Sequence, residues 1–181
     1  MRTKQFLPRT EGPHPMHYFG YCTWLDDPEL RRFMPQARAV TKGYAANHQL
    51  AFHAAGERLD RGWCHLEDGA AALGRKALGV VFTHDPKHFA EDYDDFRRVF
   101  LTVHGDDGKT YDCWTYTLIR PGKPMRPPNF YWEHIPVGLK QWEFPASYIE
   151  EVLATYHAAA ECPRADRPNP SAIPGRTADT R

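Results

Sequence analysis

Four carboxylates crowd one short stretch, "HFAEDYDDFRR": Glu91, Asp92, Asp94 and Asp95. A carboxylate beside a pocket can act as a general acid or base. Phe89, Tyr93 and Phe96 recur at helical spacing and mark the inner face of that segment. On such a helix Asp92 lies about 60° from the centre of the stripe and Asp95 about 120°, whereas Glu91 and Asp94 point further outward. Asp92 and Asp95 are therefore the candidate acids, set against a reading in which all four form a solvated face. A second reactive group stands in "YFGYCTWLD", where Cys22 follows an aromatic strand-like run. It reads either as a nucleophile or as a small apolar residue at a strand end.

The other cysteines, Cys64, Cys113 and Cys162, are widely spaced and form no CxxC pair, and no N-terminal apolar run resembles a leader or a spanning segment. A reducing cytoplasm is the default expectation. Of the ten histidines, His84 and His88 are split by Asp85-Pro86, which breaks any shared helical face, so no metal and no cofactor is expected. Lys plus Arg (23) balances Asp plus Glu (23), which leaves no net field for nucleic acid or an anionic membrane. The expected partner is a small-molecule substrate, bound by a monomer or homodimer.

The elements that must position these groups follow from periodicity. Residues 16–25 read as a strand and 27–34 as a helix, with Asp27 as N-cap and Pro28 in the first turn. Residues 37–56 are strand-like, 62–69 form a short strand with a turn, and 76–85 have the continuous apolar character of a central strand. A helix is predicted over 85–98, then a hairpin over 99–119 with its turn at 104–109, then a Pro-rich loop over 120–132. Residues 145–160 form an amphipathic helix with Tyr148, Ile149, Val152, Leu153 and Tyr156 on one side. This order predicts an α+β domain on a mostly antiparallel sheet or barrel over residues 16–160, preceded by an extension (1–15). The stretch 161–181, rich in Pro, Ser, Thr, Arg and Asp, reads as a disordered tail.

Several blocks occur in the order of one known family. "YFGYCTWL" resembles the first strand and glycine-rich loop of the gamma-glutamylcyclotransferase family, whose pattern is an aromatic pair followed by Y-G-S-N-L. "KGY" with "LAFH", "ALGVVF", "FRRVFLTV" and "CWTY" resemble its later strands, and "NFYWEHIPVGLKQWEFPASYIEEVL" resembles its terminal block. The resemblance covers about residues 17–156 and implies a small mostly antiparallel β-barrel with flanking helices. It also implies a reaction in which the free α-amine of a γ-glutamyl group attacks its own γ-amide carbonyl, releasing an amine and 5-oxoproline. Five-membered closure has high effective molarity once the chain is held bent, so the protein needs only a base and donors for the carbonyl oxygen.

The family takes its base from a glutamate after the central strand. Direct counting places Phe96 there, and a one-residue shift places Asp95, which makes Asp95 the first candidate and Asp92 the second. The loop donors map to Tyr21, Cys22, Thr23 and Trp24, with Cys-Thr-Trp in place of Gly-Ser-Asn. Tyr131 falls on a tyrosine that closes over the ligand, and Tyr116 on the strand aromatic beside it. Two other readings stay open. One is a divergent relative that binds or transforms a different small molecule without cyclotransferase activity. The other is an interaction module using the Pro-rich segment or the tail.

Overall fold

The computed structural model describes residues 16–84 and 95–166. β1 (Met16–Gly20), β2 (Arg38–Ala46), β5 (Lys76–His84), β6 (Phe96–Gly105) and β7 (Thr110–Leu118) close into a barrel in the order β1-β5-β2-β6-β7. All barrel pairings are antiparallel except β1 with β7, which runs parallel and closes the ring. A second sheet of order β4-β3-β8 holds β3 (Gln49–Ala55), β4 (Gly62–Glu67) and β8 (Pro121–Pro124). Helices α1 (Asp27–Phe33), α2 (Asn129–Trp132), α3 (His134–Gln141) and α4 (Ala146–Ala158) flank the sheets. This is the α+β barrel the residue pattern predicts.

The central strand shows why the barrel closes as it does. In β5, Ala77, Val80, Val81 and Phe82 are all fully buried. β5 sits within the barrel wall between β1 and β2, and since successive side chains point to opposite faces, the burial of Val80, Val81 and Phe82 means that both of its faces are covered. Phe19, Val103 and Trp114 complete the barrel core. α4 buries Tyr148 and Val152, with Ile149 and Tyr156 packed at its margin, and the Tyr148 hydroxyl accepts the Leu78 amide at 3.1 Å.

Several boundaries differ from the expectation. The strand-like run 37–56 is two strands in different sheets, broken at Asn47, whose φ of 57° lies in the left-handed region. The helix predicted over 85–98 does not reach its expected end: Phe96, Arg97 and Arg98 belong to β6, opposite Leu118, Thr117 and Tyr116. The ladder continues one residue further, since the Ile119 amide donates to the Asp95 carbonyl at 2.9 Å. The rest of that helix, with Glu91, Asp92 and Asp94, lies outside the described residues. The Pro-rich loop carries β8 and α2, and α3 was not anticipated as a separate helix. Asp26, not Asp27, is the N-cap of α1.

Residues 161–166, the last described, contact the domain. Asn129 donates its backbone amide to the Ala165 carbonyl at 2.9 Å and its side-chain amide to Asp166 at 2.7 Å, and Arg164 pairs with Asp60 at 3.4 Å.

One buried histidine ties the two sheets together. His65 on β4 hydrogen-bonds through Nδ1 to the Thr117 hydroxyl of β7 at 2.7 Å, and that hydroxyl accepts the Leu66 amide at 3.1 Å. Burial pulls its pKa from the usual 6.5 to about 4; neighbouring His53 and Arg97 act in the same direction, and Glu67 and Asp68 oppose them. Because the folded pKa lies below the unfolded one, the unfolded chain binds the extra proton between these values. Stability should therefore rise with pH from about 4 to 6.5 and stay level above. Urea unfolding should show a loss of about 2 kcal/mol between about pH 7 and pH 4.5, and the slope should flatten in His65→Asn. An unchanged slope in that variant would assign the acid sensitivity to other groups.

Candidate functional site

The end of β1 runs into a tight 3-10 turn, Thr23–Leu25, instead of a glycine loop. Leu25 is fully buried and its amide bonds the Cys22 carbonyl at 3.0 Å. α3 lies directly over this turn because Gly138 has no side chain. A Cβ there would sit 2.5 Å from the Leu25 carbonyl carbon and 2.6 Å from the Asp26 nitrogen, both backbone atoms that cannot swing away. The Trp142 indole then reaches the Leu25 carbonyl at 2.8 Å. Gly138→Ala should cost roughly 2 to 3 kcal/mol by overpacking, measured by denaturant unfolding. A neutral result would mean that α3 can lift off the turn without penalty.

Beside this turn is a cavity of about 400 Å³, within the size range of small-molecule sites. Its walls are mostly aromatic. Trp24 contacts Tyr18 (5.3 Å between ring centroids), Phe33 (5.3 Å) and Tyr116 (6.0 Å), and Trp63 contacts Tyr131 (5.1 Å) and Phe96 (6.2 Å). Tyr21, Cys22, Thr23, Trp24, Tyr116, Tyr131 and Asp95 all line it. Of the candidates from sequence, Asp92 alone lies outside the described residues. Tyr21 is anchored, its buried hydroxyl donating to the Tyr116 carbonyl at 2.8 Å.

The polar groups of the cavity are few and each is held. Asp95, fixed at the open end of the β6-β7 hairpin, forms an ion pair with Arg58. Glu29, on the first turn of α1, pairs with Arg32 at 2.8 Å. Tyr131 has its pKa pushed up to about 12 by burial, against the opposing hydrogen bonds to the Cys64 backbone and the Thr23 side chain. It is therefore a neutral O–H donor at ordinary pH, able to meet a developing negative oxygen. His134, at the start of α3, is hydrogen-bonded through Nδ1 to Asp26 at 2.7 Å.

The largest correction concerns Cys22. It is not a lone thiol but half of a disulfide with Cys64 of β4, the Cα atoms 6.6 Å apart, within the usual range for such a bridge. Both cysteines line the cavity, and the Tyr131 hydroxyl lies 3.5 Å from the Cys22 sulfur. A bonded sulfur has no thiolate to offer, so the nucleophile reading and the expectation of reduced cysteines both fail at this pair. Cys113 and Cys162 are free and buried, and burial raises the Cys113 thiol to about 12.

Sequence reasoning missed Glu29, Trp63, Cys64 and His134. Glu29 reads as an exposed helix residue, and Cys64 gains meaning only once β4 docks on the barrel. His134 carried a usable signal, since it follows Tyr131 by three residues and so shares its side of a helical segment. Among the described residues no group of three or more His, Cys, Asp or Glu side chains is arranged to hold a metal ion. No helix among them is long and apolar enough to cross a membrane.

No family model matches the chain, and no curated protein matches it. Solved structures do. The crystal structure of YkqA from Bacillus subtilis superposes with a TM-score of 0.66 at 17% identity, over 82% of this chain and 56% of that one. A gamma-glutamyl cyclotransferase superposes with a TM-score of 0.66 at 18% identity, over 78% and 88%. The uncharacterized protein loc79017 from Homo sapiens gives 0.62 at 18%, over 77% and 86%. The chain thus spans little more than half the length of YkqA. At such identities the likeness establishes architecture: this chain has the gamma-glutamylcyclotransferase-like fold, a distant structural relationship.

Proposed function

We propose that the cavity binds a small γ-glutamyl or related amide and cleaves it by intramolecular cyclisation, releasing 5-oxoproline and an amine. The observation that carries this reading is the placement of the Asp95 carboxylate on the same cavity as the 21–24 turn, Tyr116 and Tyr131. In this reading the aromatic walls hold the substrate bent, so that its α-amine faces its own γ-carbonyl. Asp95 accepts a proton from the α-ammonium, which frees the nitrogen lone pair for attack. Tyr131 O–H and main-chain N–H groups of the turn steady the oxygen of the tetrahedral intermediate. Incubation with γ-glutamyl amides and detection of 5-oxoproline tests it directly.

Two observations favour a second reading. Asp95 is already engaged by Arg58, and a bulky Trp24 stands where the related pattern has a small polar residue. That arrangement suits a pocket that binds or transforms another small molecule without cyclisation. Saturable binding of small carboxylates or amides with no release of 5-oxoproline would favour it.

A further inference from the structure

Asp26 and His134 are 108 residues apart in sequence, yet their side chains meet at 2.7 Å at the edge of the cavity that His134 lines. Asp26 is buried, and its position is unusual for an N-cap. Its carbonyl accepts the Leu30 amide at 2.9 Å, but its carboxylate makes no capping bond to α1. The carboxylate is engaged with His134 instead. A carboxylate cannot donate a proton, so the imidazole must donate its Nδ1–H to Asp26. That bond selects the tautomer in which Nε2 carries the free lone pair. A ring so held, with its buried carboxylate behind it and a cavity beside it, is the arrangement of a positioned base rather than of a surface histidine.

Cyclisation of a γ-glutamyl amide takes two protons off the attacking nitrogen and puts one on the leaving nitrogen as the neutral amine departs. The first leaves the α-ammonium before attack, which is the task assigned above to Asp95; Asp95 holds that proton through ring closure and gives it up to solvent as the products depart. The second is carried by the attacking nitrogen once its bond to the γ-carbon has formed. The leaving nitrogen needs a proton as the old C–N bond breaks. We propose that His134 makes this second transfer: Nε2 takes the proton from the attacking nitrogen, and the imidazolium hands it to the leaving nitrogen, with Asp26 as the residue that positions the ring. The C–N bond to the α-nitrogen forms, the C–N bond to the departing amine breaks, and His134 ends neutral as it began. No electrons are exchanged with any other reactant. Asp26 stabilises the transient imidazolium, as a buried carboxylate behind a ring N–H does. This assignment rests on the cyclisation reading and adds to it a separate carrier for the second proton.

The test uses the full chain and two readouts. Imidazole nitrogen NMR of the neutral ring, with the His134 signals identified by their loss in His134→Gln, should show Nδ1–H and an unprotonated Nε2 in the wild type, and a mixed tautomer in Asp26→Asn. With γ-glutamyl anilides of graded leaving-group basicity, His134→Gln should lower kcat by roughly a hundredfold while KM changes little. The loss should be smallest for the most electron-poor anilide, whose nitrogen needs its proton least. Melting temperature and binding of 5-oxoproline close to wild type would exclude simple misfolding, and Asp26→Asn serves where His134→Gln does not fold. An Nε2–H tautomer in the wild type, or kcat within about twofold in a folded His134→Gln, overturns the assignment alone. A wild-type protein that releases no 5-oxoproline overturns the cyclisation reading and this role with it.

Discussion

Asp95→Asn is expected to lower turnover of γ-glutamyl amides by two or more orders of magnitude, roughly the contribution of a positioned proton acceptor, with little change in substrate binding. The substitution keeps the volume and the planar shape of the side chain and removes only its capacity to take a proton. Asp95 is suited to such a test because its backbone is fixed: its carbonyl accepts the Ile119 amide at 2.9 Å, so the variant should hold the same position. Asp92→Asn belongs in the same experiment, since helical geometry placed Asp92 nearer the inner stripe. If Asp92→Asn alone abolishes turnover, the acid lies on the preceding segment and Asp95 serves Arg58. If neither variant loses activity, cyclisation should be abandoned in favour of binding or another transformation.

Breaking the Cys22–Cys64 bridge should have the largest effect on stability. The two cysteines are 42 residues apart, and opening a loop of that size returns to the unfolded chain entropy equivalent to about 4 kcal/mol at room temperature. Urea unfolding of the Cys22→Ser/Cys64→Ser double variant should show a loss of about that size, and reductant should reproduce it on the wild type. The buried Cys113 and Cys162 are unpaired in both proteins and do not confound the comparison. The bridge also pins the turn after β1 to β4, two walls of one cavity. Ligand affinity should therefore fall together with stability. A double variant that loses less than about 1 kcal/mol would show that the sheets already hold the two walls in register.

Much of the architecture was legible because it depends on local order. The continuous apolar run of β5 announces a strand covered on both faces, and the alternation around residues 104–109 announces a hairpin, since side-chain direction reverses at every residue of a strand. Ordered blocks of aromatic and glycine residues carried the resemblance to the gamma-glutamylcyclotransferase fold, and they pointed to the 21–24 turn, Tyr116, Tyr131 and Asp95. What remained hidden depends on pairs of residues far apart in the chain. Cys22 meets Cys64 only because β4 docks beside the barrel through Thr117, and His134 meets Asp26 only because Gly138 lets α3 settle on the turn. The segment that becomes β2 and β3 looked like one strand because both parts share the same composition. The left-handed residue Asn47 and the separate ladders send them to different sheets. Composition and periodicity act within a few residues and so determine which segments bury which face. The disulfide, the His134–Asp26 pair and the shape of the cavity arise from contacts across 42 to 108 residues, and such contacts exist only once the sheets have packed.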